Sequence, residues 1–154
     1  MILAVDISMI KVYADDQKMK ALTLKILRVS PPGTIDVSLK NSSQESIKIW
    51  QDSNSWGAAR WRVMLARNGH IETLYQNPDQ IFSRNVPHYF LVEKGQTVQK
   101  TLDVNDGNWR GLSKGKITFK TGDSLTVVYN VPVSDEARKA GVWYGVVSAV
   151  AAVP

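Results

Sequence analysis

The chain has 154 residues, no cysteine, 21% charged and 44% apolar residues, and a formal net charge of +5. That is one domain's worth of ordinary globular composition, able to bury roughly 70% of its unfolded surface without a staple. The missing cysteine excludes disulfides, thiolate zinc sites and thiol catalysis.

In residues 1–14, Val5, Ile7 and Met9 alternate with Asp6 and Ser8, the period of a first strand. The alternative is a degenerate export signal ending at Val12-Tyr13-Ala14, which would favour a place outside the cytoplasm. Against it stand Asp6 in the apolar stretch and the lack of a basic start. Leu22, Leu24 and Ile26 predict the next strand, stopped by Ser30-Pro31-Pro32-Gly33, where two prolines remove two backbone donors.

Ile35, Val37 and Leu39 alternate with Asp36, Ser38 and Lys40, and Ile47 and Ile49 resume the pattern after a polar run. Two antiparallel strands joined by a solvated turn are expected, each with one dry face. On strict alternation Trp50 points away from Ile47 and Ile49, toward solvent. Residues 51–57 form a loop carrying Trp56. Trp61, Val63 and Leu65 define the next dry face, and Asn68-Gly69 predicts a type I′ turn into a strand with Ile71, Thr73 and Tyr75.

Residues 76–87 are irregular. Tyr89 to Val92 is a short apolar run, Glu93-Lys94-Gly95 a turn, and Val98, Leu102 and Val104 lie in an extended segment. Asp103 to Gly107 is a polar turn, and Trp109-Arg110 falls between glycines. Ile117 and Phe119 predict a short strand, and Leu125, Val127, Tyr129 and Val131 a longer one closed by Pro132. Ser134 to Gly141 reads as one capped helical turn, with acids first, bases last and glycine at the stop. Val142 to Val153 is a final buried strand, with a helix over 148–153 as the alternative.

Many short strands, frequent turns and almost no helix predict an all-β, antiparallel, immunoglobulin-like β-sandwich spanning residues 1–154 as one domain. The segment Ile35-Asp36-Val37-Ser38-Leu39-Lys40-Asn41-Ser42-Ser43 resembles a strand end common in bacterial immunoglobulin-like modules. Phe90-Leu91-Val92-Glu93-Lys94-Gly95-Gln96-Thr97-Val98 is similar to a turn found later in such modules, with Lys94 where proline is usual. Intracellular proteinase inhibitors of the Bsu type and some peptidase propeptide-like domains carry this pair. The resemblance implies the fold and carries over no binding residue. The tryptophan-rich segments have no counterpart in it.

Catalytic chemistry is thinly represented. His70 follows the Asn-Gly turn, and His88 is the one candidate base, with no nucleophile elbow. A non-enzymatic protein without metal or cofactor is expected. Two histidines make no zinc site, and the oxygen-rich run from Asp103 to Asn108 lacks EF-hand spacing, so an Asx-bonded turn is expected there. The Asn41-Ser42-Ser43 sequon falls on a turn asparagine. Basic residues are scattered, so nucleic acid is not an expected partner, and no apolar run is long enough to span a membrane.

The informative residues are aromatic. Trp56, Arg60, Trp109 and Arg110, with Trp50, have the composition of a protein-binding hot spot. A sugar-stacking platform of Trp50, Trp56 and Trp109 is the alternative, with a polysaccharide partner. Trp61 and Trp143 are expected in the core, each indole N–H meeting a carbonyl.

Overall fold

The computed structural model describes residues 21–79, 81–82, 85–111 and 115–154. The strand or export signal expected at 1–14 lies outside them. Among the described residues, ten strands and one short helix occur. They are β1 (Leu22–Ser30), β2 (Thr34–Asn41), β3 (Ile47–Trp50), β4 (Trp61–Arg67), β5 (His70–Gln76), β6 (Tyr89–Val92), β7 (Thr97–Asp103), β8 (Trp109–Arg110), β9 (Ser124–Val131), α1 (Asp135–Ala140) and β10 (Gly145–Ala152).

The strands form three antiparallel sheets, ordered β1-β2-β7, β10-β9-β4-β5-β8 and β3-β6. Their dry faces meet in one core. Leu24, Ile35, Val37 and Leu102 come from the first sheet, and Val63, Leu65, Leu125 and Val127 from the second. The alternation read from the sequence is the cause. In β9, residues 125, 127, 129 and 131 are buried and the residues between them are not.

Several local expectations are met in detail. Asn68 and Gly69 have φ of 50° and 77°, as a type I′ turn requires, and Arg67 pairs with His70 across it. Ser134 caps α1 by accepting from the Ala137 amide at 3.1 Å. Gly141 ends the helix in the left-handed region, φ 66°. The expected Asx bonds are formed, from the Asn105 amide to Asp103 Oδ1 at 2.9 Å and the Asn108 amide to Asp106 Oδ1 at 2.8 Å.

Four expectations are corrected, and a further point, the buried face of β5, is decided by the structure. First, β2 and β3 do not pair with each other; β2 lies between β1 and β7, and β3 pairs with β6. Asn41, fully buried, redirects the chain. Its Nδ2 donates to the Glu45 and Val92 carbonyls, and its Oδ1 accepts from the Ser43 amide and hydroxyl. Second, Trp50 is only 3% exposed, because the 51–60 loop folds Trp56 over its outer side with ring centroids 6.2 Å apart.

Third, Ile71 and Tyr75 face outward and Leu74 is the buried residue of β5. The two-residue turn dictates this. Ile71 sits opposite Ala66 and Leu74 opposite Val63, and opposed residues share a face. Fourth, Ile117 and Phe119 form no strand. Their amides bond to Asn105 Oδ1 at 2.8 Å and the Pro31 carbonyl at 2.9 Å. Pro31 and Pro32 have no amide to return, so no ladder propagates. Fifth, the final strand expected over 142–153 forms as β10, in place of the helical alternative over 148–153, but it is buried on one side only, with Val146 and Val150 exposed.

At the corner made by the two prolines, Gly33 is required. Its φ is 101°, and an added Cβ would collide with the Asn105 side chain. That side chain also donates to the Pro32 and Ile117 carbonyls, so one asparagine ties three segments.

Candidate functional site

The inter-sheet space holds an aromatic column. Trp61 of β4 lies 4.6 Å from Tyr129 of β9, centroid to centroid, and Tyr129 stacks on Trp143 at 5.9 Å and 14°. Trp61 and Trp143 are core residues, as expected, but neither indole N–H finds an acceptor. Two such orphan donors oppose the stability of this column, since a buried unsatisfied donor costs about 1–3 kcal/mol.

The column ends at a cavity of about 400 Å3. Val37 and Leu39 of β2 and Val98 of β7 form one wall, Trp61 and Tyr129 the opposite one, and Ile49, Trp50 and Phe90 the third. It exists because β7 and β6, though joined by a tight turn, pair with different strands and splay apart. Lys100 and Asp52 form an ion pair at its edge, each side chain about one-third exposed, with Gln51 and Gln99 beside them. Lys100 has the same parity as Val98 and Leu102, opposite the fully buried Val37, so it is a cation on the core-facing side of an edge strand.

The 51–60 loop is built on Asn54, also buried. Its Oδ1 accepts from the Trp56 and Gly57 amides, both at 3.0 Å, and its Nδ2 donates to the His88 carbonyl at 3.1 Å. Arg60 is half-buried and its Nε donates to the Trp56 carbonyl at 2.6 Å. Burial lowers the Arg60 pKa, which Tyr129 partly offsets. Burial raises the Tyr129 pKa above the ordinary 10.0, with Asp52 adding to the rise and Arg60 opposing it. The tyrosine therefore stays a neutral hydrogen-bond donor, and its hydroxyl bonds to no described residue.

Of the five residues singled out from the sequence, the fold brings Trp50, Trp56 and Arg60 together beside the cavity. Trp109 and Arg110 sit elsewhere, on β8 at the far edge of the five-stranded sheet. Trp109 opposes Gln76 on the core side, and Arg110 opposes Tyr75 on the outer side, with Nε donating to Asn77 Oδ1 at 3.0 Å. His70 and His88 are both exposed. Sequence reasoning missed Asp52, Lys100 and Tyr129. The one available signal was Lys100 at core parity between Val98 and Leu102.

A second surface is the outer face of the five-stranded sheet. Ile71, Tyr75, Val146 and Val150 are exposed there, Ile71 and Val150 at 69% and 68%. Met64 and Val128 lie half-buried among them. The register places Val150 by Thr126 and Met64, and Val128 by Arg62 and Tyr75. Arg62 and Arg110 are the charges at these outward strand positions; no acid joins them.

Among the described residues no group of three acidic or histidine side chains is placed to hold a metal, and no helix is long and apolar enough to cross a membrane. Comparison with protein-family models, curated proteins and solved structures finds no match.

Proposed function

We propose that this chain is a non-enzymatic binding module on an immunoglobulin-like β-sandwich and that its partner is another protein. In support, the strand orders β1-β2-β7 and β10-β9-β4-β5-β8, with β8 and the β3-β6 pair taken as additions, can be read as an A-B-E sheet and a G-F-C-C′ sheet. Trp61 then occupies the strand-C position of the buried tryptophan of such domains, packed on Tyr129 of strand F. The two segments that resemble bacterial immunoglobulin-like and Bsu-type inhibitor modules are spatial partners, Asn41 bonding to Val92 and to the Gly95–Gln96 backbone.

The observation that carries the protein-binding reading is the apolar-rich, acid-free outer face of the five-stranded sheet. An antiparallel sheet with one wet face normally alternates apolar-in, polar-out. An exposed face that mixes valine, isoleucine, tyrosine, methionine and arginine with only uncharged polar residues, Thr73, Thr126, Asn130 and Ser148, has the composition of an interface. Arg62 and Arg110 call for a partner with carboxylates around an apolar centre. The sugar-platform reading loses Trp50, which is buried.

The test is site-specific photo-crosslinking. A probe at Tyr75 should capture a protein that a probe at Lys25, outside the three-stranded sheet, does not. Val150→Lys should abolish that capture with an unchanged melting temperature. Equal capture from both positions would overturn the assignment.

A further inference from the structure

The cavity beside β7 is independent of that outer face. Interiors of this kind are packed with few voids larger than a water molecule. An apolar void of about 150 Å3 accepts benzene, so about 400 Å3 accommodates a fused two-ring system with a substituent. Its walls are aliphatic and aromatic, and its polar groups are few and converge on one side, which is the general composition of a small-molecule site. A ring entering it would meet the half-buried Phe90 as its aromatic partner, beside Val98 and above the buried Trp50 and Trp61.

The charges decide the polar end. Asp52 is neutralised by Lys100, and the nearby half-buried Arg60, itself not a wall residue, is bonded only to a carbonyl, so the surroundings carry one more cation than acid. The Lys100 ammonium has three donors, so it can hold a second anion beside Asp52. Tyr129 supplies a further donor that no described residue uses. The geometry points to a binding site for a small planar aromatic carboxylate, its ring against Phe90 and Val98 and its carboxylate at Lys100. The competing account of Lys100 is edge protection, since an inward charge discourages pairing of β7 with another chain. That account predicts no ligand.

Three probes of one shape separate these accounts in titrations of the full chain, read by tryptophan fluorescence and calorimetry. They are 2-naphthoate, 2-naphthalenemethanol and 2-naphthylmethylammonium. The expected result is saturable one-to-one binding of naphthoate, about tenfold tighter than the alcohol, with the ammonium weakest. Lys100→Met, which leaves Asp52 unneutralised, should bring naphthoate to or below the level of the alcohol and leave the alcohol nearly unchanged. Val98→Trp, which fills the void, should remove binding of all three.

Should Val98→Trp fail to fold, methyl NMR of the unaltered chain locates the ligand directly. Shifts on adding naphthoate should centre on Val37, Leu39, Ile49 and Val98. No saturation by about 1 mM, equal affinities for the three probes, a preference for the ammonium, or shifts centred on Val146 and Val150 would each overturn the proposal.

Discussion

The outer faces of the two larger sheets are built on opposite principles. On the three-stranded sheet, Asp36 accepts from Arg28 Nε at 2.9 Å and from the Thr101 hydroxyl at 2.6 Å, tying β1, β2 and β7 together. A bulge between Ile26 and Arg28 sets Arg28 opposite Asp36. Thr23, Lys25, Lys40 and Gln99 complete a mostly polar surface, in which Leu27 is the exposed apolar residue. On the five-stranded sheet the outward positions include Ile71, Tyr75, Val128, Val146 and Val150, with the uncharged Thr73, Thr126, Asn130 and Ser148 between them. One face is finished by its own side chains and water. The other exposes apolar side chains among its polar ones. Both rest on the same core, so outward polarity is not a requirement of this fold, and its loss on one face carries functional information.

The sharpest test of that contrast compares adjacent positions in paired strands. Leu125→Ala, at a fully buried site, should destabilise by about 3 kcal/mol in denaturant unfolding. Val150→Thr and Ile71→Thr should stay within about 0.5 kcal/mol, because those side chains are already wet. A large loss from either outer variant would mean the face is covered within the folded chain and would break the comparison.

Next in size is the lock at one end of the sheets. Asp123, buried, accepts from Arg67 Nε at 2.7 Å and Nη2 at 2.6 Å, and from the Lys120 amide at 2.7 Å. The Arg67 hydrogen bond is the first cause holding its carboxyl below the usual range. Asp123→Ala should cost about 2–3 kcal/mol. The unfolded carboxyl binds its proton at higher pH than the folded one, so stability is present above the ordinary carboxylate value and is lost as pH falls below it. In the variant that acid-induced loss should shrink.

Asp36 is also held low, first by Thr101 and then by Arg28, so it contributes in the same direction. Because it lies on the wet face, Asp36→Asn should diminish the acid-induced loss less than Asp123→Ala does. Equal effects would place the two carboxylates in equivalent environments, contrary to their exposure.

Tyr129 predicts the opposite pH response. Its folded pKa is raised by burial, so the unfolded state loses its proton first and stability falls as pH rises past 10.0. Tyr129→Phe should remove that alkaline loss in thermal melts. An unchanged alkaline slope would mean another group carries it.

The sequence alone determined the all-β class, most strand positions, the Asn68-Gly69 turn and the Ser134–Gly141 capped helix. Each depends on interactions within a few residues, on period-two alternation or on a turn's φ requirement. Pairing partners, the burial of Trp50 and the cavity were decided by tertiary structure. Asn41 bonds to a carbonyl 51 residues away, and Trp56 covers Trp50 through a loop built on Asn54. The outward turn of Ile71 and Tyr75 falls between the two. It follows from a two-residue turn and the dry face of β4, both readable from the sequence, once opposed residues are placed on one face. Asp52, Lys100 and Tyr129 lie far apart in the chain, and only the packing of three sheets sets them around one void.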